Sequence, residues 1–174
     1  MKKIIVFLLL ACLLVSAAGC SVLEAKEKVF SIEDYGLQLT ADDTFNTVAD
    51  SSNFDLYITD ENVYIGVMAY KYVDLPESVT PADVYTLQNE DFFGKRTNVQ
   101  KIEEEFTESI SWGTKTQGLY SAERDGNKNY YATYLIDMPG EETVSWVLIS
   151  SLPSYFISHS GELDAIASSL RPVK

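Results

Sequence analysis

Residues 128–151, KNYYATYLIDMPGEETVSWVLISS, contain two runs of β-branched and aromatic side chains on either side of a proline-glycine turn. The turn is too short for a crossover, so the two runs must pair as antiparallel strands. Outward along the chain, residues 99–107 and 112–122 have a similar composition, and the sequence DGN at residues 125–127 is a hairpin signal. This region therefore predicts four strands in series, a meander at the centre of the fold.

Two helices are predicted, one before the meander and one after it. Thr80 and Pro81 give an N-cap and a proline at the first helical position, and Gly94 gives a stop. Residues 153–170 form the closing helix, in which Gly161 is a weak position where a break is possible. The predicted buried stripes are Val84, Leu87 and Phe92 in the first helix and Phe156, Leu163, Ile166 and Leu170 in the second.

Four further strands, of which the last is longer, are predicted upstream of the first helix. They are residues 29–32 and 36–39, followed by the pair 54–58 and 63–72. All these elements together predict an α+β fold with roughly six to eight strands in a mainly antiparallel sheet. Several strands carry aromatic side chains on both faces, so we expect helices or loops to cover each face. We expect one domain, residues 29–174.

The first twenty residues have the composition of an export signal. Residues 1–3 supply two lysines, and residues 4–18 are almost uninterrupted apolar sequence, shorter than the ~20 residues of a stable membrane span. The sequence AAGC at residues 17–20 resembles the bacterial lipobox, although that pattern usually has leucine where Ala17 stands. The resemblance implies a signal peptide at residues 1–19 and attachment of diacylglycerol and palmitate-type acyl chains to Cys20.

Other interpretations of this segment stay open. Cys12 also follows a lipobox-like sequence, but cleavage there would leave the apolar region too short to engage export. An ordinary cleaved signal or an uncleaved anchor is the remaining alternative. With Cys20 acylated, residues 20–28 are a lipidated N-terminus and tether that reaches about 25–30 Å at most. We therefore expect an extracytoplasmic protein held close to the cell membrane, or to an outer membrane if the organism has one.

Cysteine content and charge exclude several classes of function. No cysteine follows Cys20, which excludes a disulfide, a thiolate nucleophile and a cysteine-based zinc site from the mature domain. The chain has 13 Lys and Arg against 26 Asp and Glu, and its basic residues are scattered apart from Lys95-Arg96. Nucleic acid binds clustered cations and is therefore a poor partner, and anionic lipid surfaces should repel the folded part.

Three features of the chain together resemble the PsbP/Mog-like superfamily, and within it the small bacterial lipoproteins. They are the start FxI…YGxxL at residues 30–39, a central helix before a meander, and the ending IASSL at residues 166–170. The resemblance implies an α/β/α sandwich around an antiparallel sheet. It also implies a docking function, since known members include an extrinsic photosystem subunit and a protein that binds a small GTPase. It carries no functional residue onto this sequence.

No catalytic residue, metal site or cofactor is predicted. His159 is the sole histidine, and it needs a nucleophile and an orienting acid to act as a base. Its neighbours Ser158 and Ser160 should not face it on a helix, so we interpret His159 as a surface or capping residue.

The densest acidic run is EEE at residues 103–105. A linear run seldom supplies the convergent oxygens that Ca²⁺ needs, so we interpret it as a solvated face rather than a metal site. Glu104 would share a strand face with Ile102 and Phe106, which should be core. We therefore expect either a bulge that turns Glu104 outward or a half-buried pocket around it.

An aromatic strand face is the strongest candidate for a binding site. In residues 63–72, one face carries Val63, Ile65, Val67 and Ala69, and the other carries Tyr64, Met68, Tyr70 and Tyr72. With Tyr57, Trp112, Tyr130 and Tyr134 the second face could form a patch that binds a ligand or a partner. The candidate binding residues are Tyr64, Tyr70, Tyr72 and Trp112. The favoured alternative is that helices cover this face and the rings are core.

Three functional hypotheses follow from these observations. The first is a lipid-anchored, non-catalytic envelope protein that binds or docks another envelope protein. The second is a lipoprotein that holds a small apolar or cationic molecule in an aromatic pocket. The third is a hydrolase without a recognisable signature, which would need convergent Asp, Glu, Ser and His groups in a cleft.

Overall fold

The computed structural model describes residues 26–49 and 53–173. The signal segment and Cys20 lie outside the described residues. Within the described residues no helix is both long enough and apolar enough to span a membrane. The strands are β1 (Glu27–Ile32), β2 (Leu37–Asp42), β3 (Asn46–Thr47), β4 (Leu56–Thr59), β5 (Val63–Lys71), β6 (Thr97–Ile110), β7 (Gly113–Arg124), β8 (Asn127–Met138), β9 (Thr143–Ser151) and β10 (Arg171–Pro172), and the helices are α1 (Pro81–Phe93) and α2 (Pro153–Ser168).

The main sheet has seven strands in the order β3-β4-β5-β9-β8-β7-β6. All neighbouring strands run antiparallel, and β6 to β9 form the predicted meander. A smaller sheet has the order β1-β2-β10, also antiparallel. The predicted α+β fold with a mainly antiparallel sheet is confirmed. The two-residue strands β3 and β10 are additions that no sequence pattern indicated.

Short turns fix the register of the meander. Arg124 pairs with Asn127 across a two-residue loop in which Asp125 and Gly126 both have positive φ, 53° and 78°. This is the type I′ geometry that matches the twist of a hairpin, and it explains the DGN sequence. Between β6 and β7, Ile110 pairs with Gly113, so Trp112 lies in the turn and not in the strand predicted for it.

The main sheet lies between two layers, as the predicted α/β/α sandwich requires. On one face α1 packs through Val84, Tyr85 and Phe93 on alternate side chains of β8 and β9. On the other face α2 and the small sheet form the larger core cluster. The four apolar residues of β5 predicted to share a face, Val63, Ile65, Val67 and Ala69, are all buried in that larger cluster.

Helix α1 begins and ends where the sequence predicts. Thr80 and Asp83 form a reciprocal capping box, and the N–H of Gly94 closes the last turn on the carbonyl of Glu90. The predicted buried stripe is wrong at Leu87, which is 47% exposed. The sheet is contacted by Val84, Tyr85, Asn89 and Phe93, and helical spacing turns Leu87 away from that side. Helix α2 continues through Gly161 without a break.

Strand β6 is the edge of the main sheet and has no buried residue. Its pairing with β7 shifts register between Lys101 and Glu103 and again between Glu103 and Phe106. These bulges confirm the expected outward turn of Glu104, whose side chain is 95% exposed. Ile102 and Phe106, predicted as core, are 40% and 51% exposed, because no layer covers this edge.

Candidate binding groove

An open groove runs between α1 and the aromatic face of β5. The main cavity has a volume of about 790 Å³. Its walls are Met68 and Tyr70 of β5, the 53–55 loop, and Gln88, Phe92 and Arg96 at the end of α1. A second cavity of about 480 Å³ adjoins it and shares Phe54, Phe92, Arg96 and Arg124. We call the two cavities together the α1 groove.

Stacked aromatic rings form the floor of the α1 groove. The Phe54 ring is nearly parallel to that of Tyr57, with centroids 5.2 Å apart, and to that of Trp146, at 6.5 Å. Tyr57 in turn stacks on Tyr64 at 6.1 Å, and Phe92 lies 5.7 Å from Trp146. Such rings bury large areas with few rotamers to order, which suits them to binding surfaces.

Two local features hold this floor in place. Gly66 lies beneath the Phe54 ring, where an added Cβ would come within 2.4 Å of a ring carbon. The indole Nε1 of Trp146 donates a hydrogen bond of 3.0 Å to the side-chain oxygen of Asn89, a buried polar residue of α1. The hydrogen bond satisfies both polar groups and fixes α1 against β9.

Tyr70 lines the main cavity as a neutral phenol. Burial, with the charge of Asp55 and the nearby Tyr35, raises the pKa of Tyr70 to about 12. Among the described residues its hydroxyl makes only a weak contact of 3.9 Å with the Met68 sulfur, so it can donate a hydrogen bond to a bound group.

The structure separates the four candidate binding residues. Tyr64 lines the second cavity and Tyr70 the main one, whereas Tyr72 lines neither. The Tyr72 hydroxyl donates to the Asp137 carboxylate, and burial together with that hydrogen bond raises the pKa of Tyr72. Trp112 packs against the larger core cluster on the opposite face of the sheet. Only Tyr64 and Tyr70 therefore share a surface.

His159 has closer neighbours than expected. Its ring stacks on Tyr155 with centroids 4.0 Å apart, and its Nδ1 lies 2.9 Å from the Ser158 hydroxyl. The prediction that Ser158 would not face it is therefore wrong. The Ser158 hydroxyl is directed to the backbone carbonyls of Ser154 and Tyr155, as in an ordinary helix contact.

The acidic run at residues 103–105 forms exposed ion pairs rather than a metal site. Lys101 contacts Glu104 and Glu105 at 3.3 and 3.2 Å on the solvated edge. No three His, Cys, Asp or Glu side chains in residues 26–49 and 53–173 are grouped closely enough to hold a metal ion.

Lys115 is the one buried lysine among the described residues. Its ammonium is 2.8 Å from Glu108 and 2.9 Å from Asp164, and it donates to the Ser168 hydroxyl. Burial alone would lower the pKa of Lys115, but the two carboxylates outweigh it and raise that pKa. The cluster fixes α2 to the meander.

Sequence reasoning missed most of the residues that build the groove. Phe54, Phe92 and Trp146 come from three distant segments, and no pattern in any one of them indicates that they meet. One signal was available in the sequence, because Lys95-Arg96 is the single pair of adjacent basic residues in residues 21–174.

The comparisons with known proteins show similarity in structure only. No protein-family model and no curated protein matches the sequence. The solution structure of CyanoP, the cyanobacterial PsbP of Synechocystis sp. PCC 6803, superposes with a TM-score of 0.62 at 14% identity, covering 88% of this chain and 96% of CyanoP.

Two further solved structures have the same architecture. LpqN of Mycobacterium tuberculosis, described as involved in cell envelope biogenesis, gives a TM-score of 0.59 at 16% identity, over 86% of this chain and 92% of LpqN. The Saccharomyces cerevisiae Ran-binding protein Mog1p gives 0.57 at 13% identity, over 87% and 97%. The chain has the PsbP/Mog-like fold.

Proposed function

We propose that the chain is a lipid-anchored, non-catalytic protein of the cell envelope that binds a segment of another protein in the α1 groove. The observation that carries the proposal is the open aromatic groove itself, with Tyr64 and Tyr70 among its walls. Aromatic residues presented on a rigid sheet are typical of binding surfaces. The fold adds support, since one structural neighbour is a Ran-binding protein and another is described as involved in envelope biogenesis.

A small-molecule ligand is the second candidate function. The main cavity, at about 790 Å³, is within the usual size range of ligand sites, and Tyr70 lines it. Such sites generally enclose most of the ligand, whereas this cavity is open and continues into the second one. The open shape favours an extended occupant that crosses both cavities.

Filling the groove tests the docking proposal. Gln88 lines the main cavity, so Gln88→Trp should obstruct it, whereas Ile157 on α2 is 67% exposed and lies outside it. In formaldehyde-treated cells we expect the wild-type chain and Ile157→Trp to form a crosslinked species of higher mass on a denaturing gel. Gln88→Trp should lose that species. Retention of the species by Gln88→Trp, or its absence from the wild type, would contradict docking in the groove.

The lipid anchor is tested separately. Cys20 is the acceptor implied by the lipobox-like sequence, so Cys20→Ala should release the protein from the membrane fraction. Intact-mass measurement of the wild type should show a chain that starts at Cys20 and carries acyl groups. Unchanged membrane association of Cys20→Ala, or a wild-type chain that retains residues 1–19, would contradict the anchor.

A further inference from the structure

Arg96 is a partly buried cation that has no carboxylate partner in the described residues. Its guanidinium lies over the Phe92 ring, 3.3 Å from the centroid, and Nη1 donates to the Phe92 carbonyl. The buried Nε has no hydrogen-bond acceptor in residues 26–49 and 53–173. No Asp or Glu of those residues lies within 4.0 Å of the guanidinium. Burial lowers the pKa of Arg96, the nearby Tyr131 side chain opposes that shift in part, and the like charge of Arg124 adds to it.

A second arginine lines the same surface. Arg124 borders both cavities with Arg96, and its one ion pair, with Asp125 at 3.7 Å, is loose and solvent-exposed. Two guanidinium groups, one with no carboxylate of the described residues within 4.0 Å and one with a single loose contact, therefore line the same groove of a chain whose acidic residues outnumber its basic ones by 26 to 13.

No acidic residue that lines the groove lies within 4.0 Å of either guanidinium. Asp91 is paired with Lys95 at 2.7 Å, and Asp55 accepts a hydrogen bond of 2.7 Å from the backbone N–H of Ala69. Glu61 lines the second cavity without contacting either arginine. An unpaired, partly desolvated guanidinium favours an anion in bidentate geometry, so the groove is suited to a carboxylate.

We propose that the α1 groove binds an acidic segment of the partner protein, with a carboxylate held between Arg96 and Arg124. An apolar side chain next to that carboxylate rests on the Phe54 ring, which covers the buried Trp146. The inference rests on the proposed docking function and names the chemistry of the partner. The size of the two cavities, about 790 and 480 Å³, suits several residues of an extended chain better than an isolated anion.

Peptide titration tests the charge requirement directly. The probes are two blocked peptides, acetyl-GEFEFG-amide and acetyl-GQFQFG-amide, titrated into the full ¹⁵N-labelled chain in neutral detergent and followed by NMR. The Glu peptide should bind about tenfold more tightly than the Gln peptide and should shift the Arg96 Nε–H signal, because charge-assisted bonds form only with the carboxylate. Equal affinity of the two peptides would overturn the proposal.

Matched variants separate the groove from overall charge. Arg96→Gln and Arg124→Gln should each reduce affinity for the Glu peptide about tenfold and leave the Gln peptide unaffected. Lys128→Gln removes the same charge from the same hairpin but lines neither cavity, so it should bind like the wild type. Arg124 is exposed, so its variant stays informative even if Arg96→Gln unfolds. Equal effects of Arg124→Gln and Lys128→Gln would overturn the proposal.

A titration with an anionic lipid distinguishes a peptide carboxylate from a lipid headgroup as the bound anion. Dihexanoyl phosphatidylglycerol, titrated in the same way, should bind more weakly than the Glu peptide. Tighter, Arg96-dependent binding of this lipid would overturn the proposal in favour of a headgroup site. If Gln88→Trp abolishes the crosslink in cells but the peptides bind equally, docking stands and the acidic chemistry fails. Retention of the crosslink by Gln88→Trp would instead contradict docking itself.

Discussion

At the residue scale, the absence of a side chain at Gly66 determines the floor of the groove. The Phe54 ring occupies the space that a Cβ would fill and stacks on Trp146 from there. Gly66→Ala must therefore displace the ring, and we expect a loss of about 1–3 kcal/mol in the free energy of unfolding. Near-UV circular dichroism should change as the Trp146 environment changes.

Gly161→Ala is the matched control for that substitution. An added Cβ meets no atom within 4 Å, and the position is inside an unbroken helix. We expect stabilisation by about 1 kcal/mol, since alanine is the better helix former. Urea unfolding measures both variants, and a Gly66→Ala chain as stable as the wild type would contradict the packing described for Phe54.

The Lys115 cluster gives a second prediction, which compares the stability lost when its carboxylates are neutralised with the stability lost when the lysine is replaced. Glu108→Gln combined with Asp164→Asn leaves a buried ammonium without a counter-charge and should cost about 3–5 kcal/mol. Lys115→Met should cost less, because the carboxylates it leaves behind are about 41% and 42% exposed and stay hydrated. Chemical unfolding of both variants gives the order, and the reverse order would refute a charge-dependent role for Lys115.

The pH dependence of the same cluster has a defined sign. The pKa of Lys115 is raised in the folded chain, so its ionic contribution is complete below about pH 10.4, the ordinary lysine value, and is lost as pH rises through the raised pKa. The stability difference between the wild type and Lys115→Met should therefore be constant at neutral pH and shrink at strongly alkaline pH.

At the scale of elements, the start of α1 supports one wall of the groove. Thr80→Ala removes the capping box and should destabilise the chain by about 1 kcal/mol. Ser78→Ala, two residues earlier and outside the helix, should have no measurable effect. Guanidinium unfolding curves compare the two variants. Equal midpoints would mean that the cap does not stabilise α1.

The sheet edge and the sheet interior should respond differently to the same substitution. Ile102→Thr on β6 should change stability by no more than about 0.5 kcal/mol, because the side chain is 40% exposed. Ile136→Thr on β8 places a hydroxyl in the core at a fully buried position and should cost about 2 kcal/mol or more. Similar losses at both positions would contradict the assignment of β6 as an uncovered edge.

The elements also show what the sequence can predict here. Strand composition and turn residues suffice for the meander, because each hairpin is local and its Asp125-Gly126 turn has one favoured geometry. Which strand is an edge depends on neighbours in space, so the prediction that Ile102 and Phe106 are core residues is wrong. The predicted buried stripe of α1 is wrong at Leu87, because the strands that α1 packs on decide which side of the helix is buried.

At the scale of the whole molecule, the two layers leave different surfaces. The α2 side is filled by the small sheet and the larger core cluster, whereas α1 and the 72–79 segment cover only part of the other face and leave the groove beside α1. The groove residues come from positions as far apart as Tyr35 and Trp146, so only the assembled sheet brings them together. Sequence patterns cannot supply that assembly, although they identified Tyr64 and Tyr70 as binding candidates.

Site-specific photo-crosslinking in living cells tests the proposal that the α1 groove is the protein-binding face. A photoreactive amino acid replaces Asn53, an exposed residue at the edge of the groove, or Ile157 on α2, and mass spectrometry identifies the crosslinked peptides. We expect a crosslink from position 53 to one acid-containing segment of one envelope protein, and none from position 157. Crosslinks that form only from position 157, or from neither position, would contradict protein binding in the α1 groove.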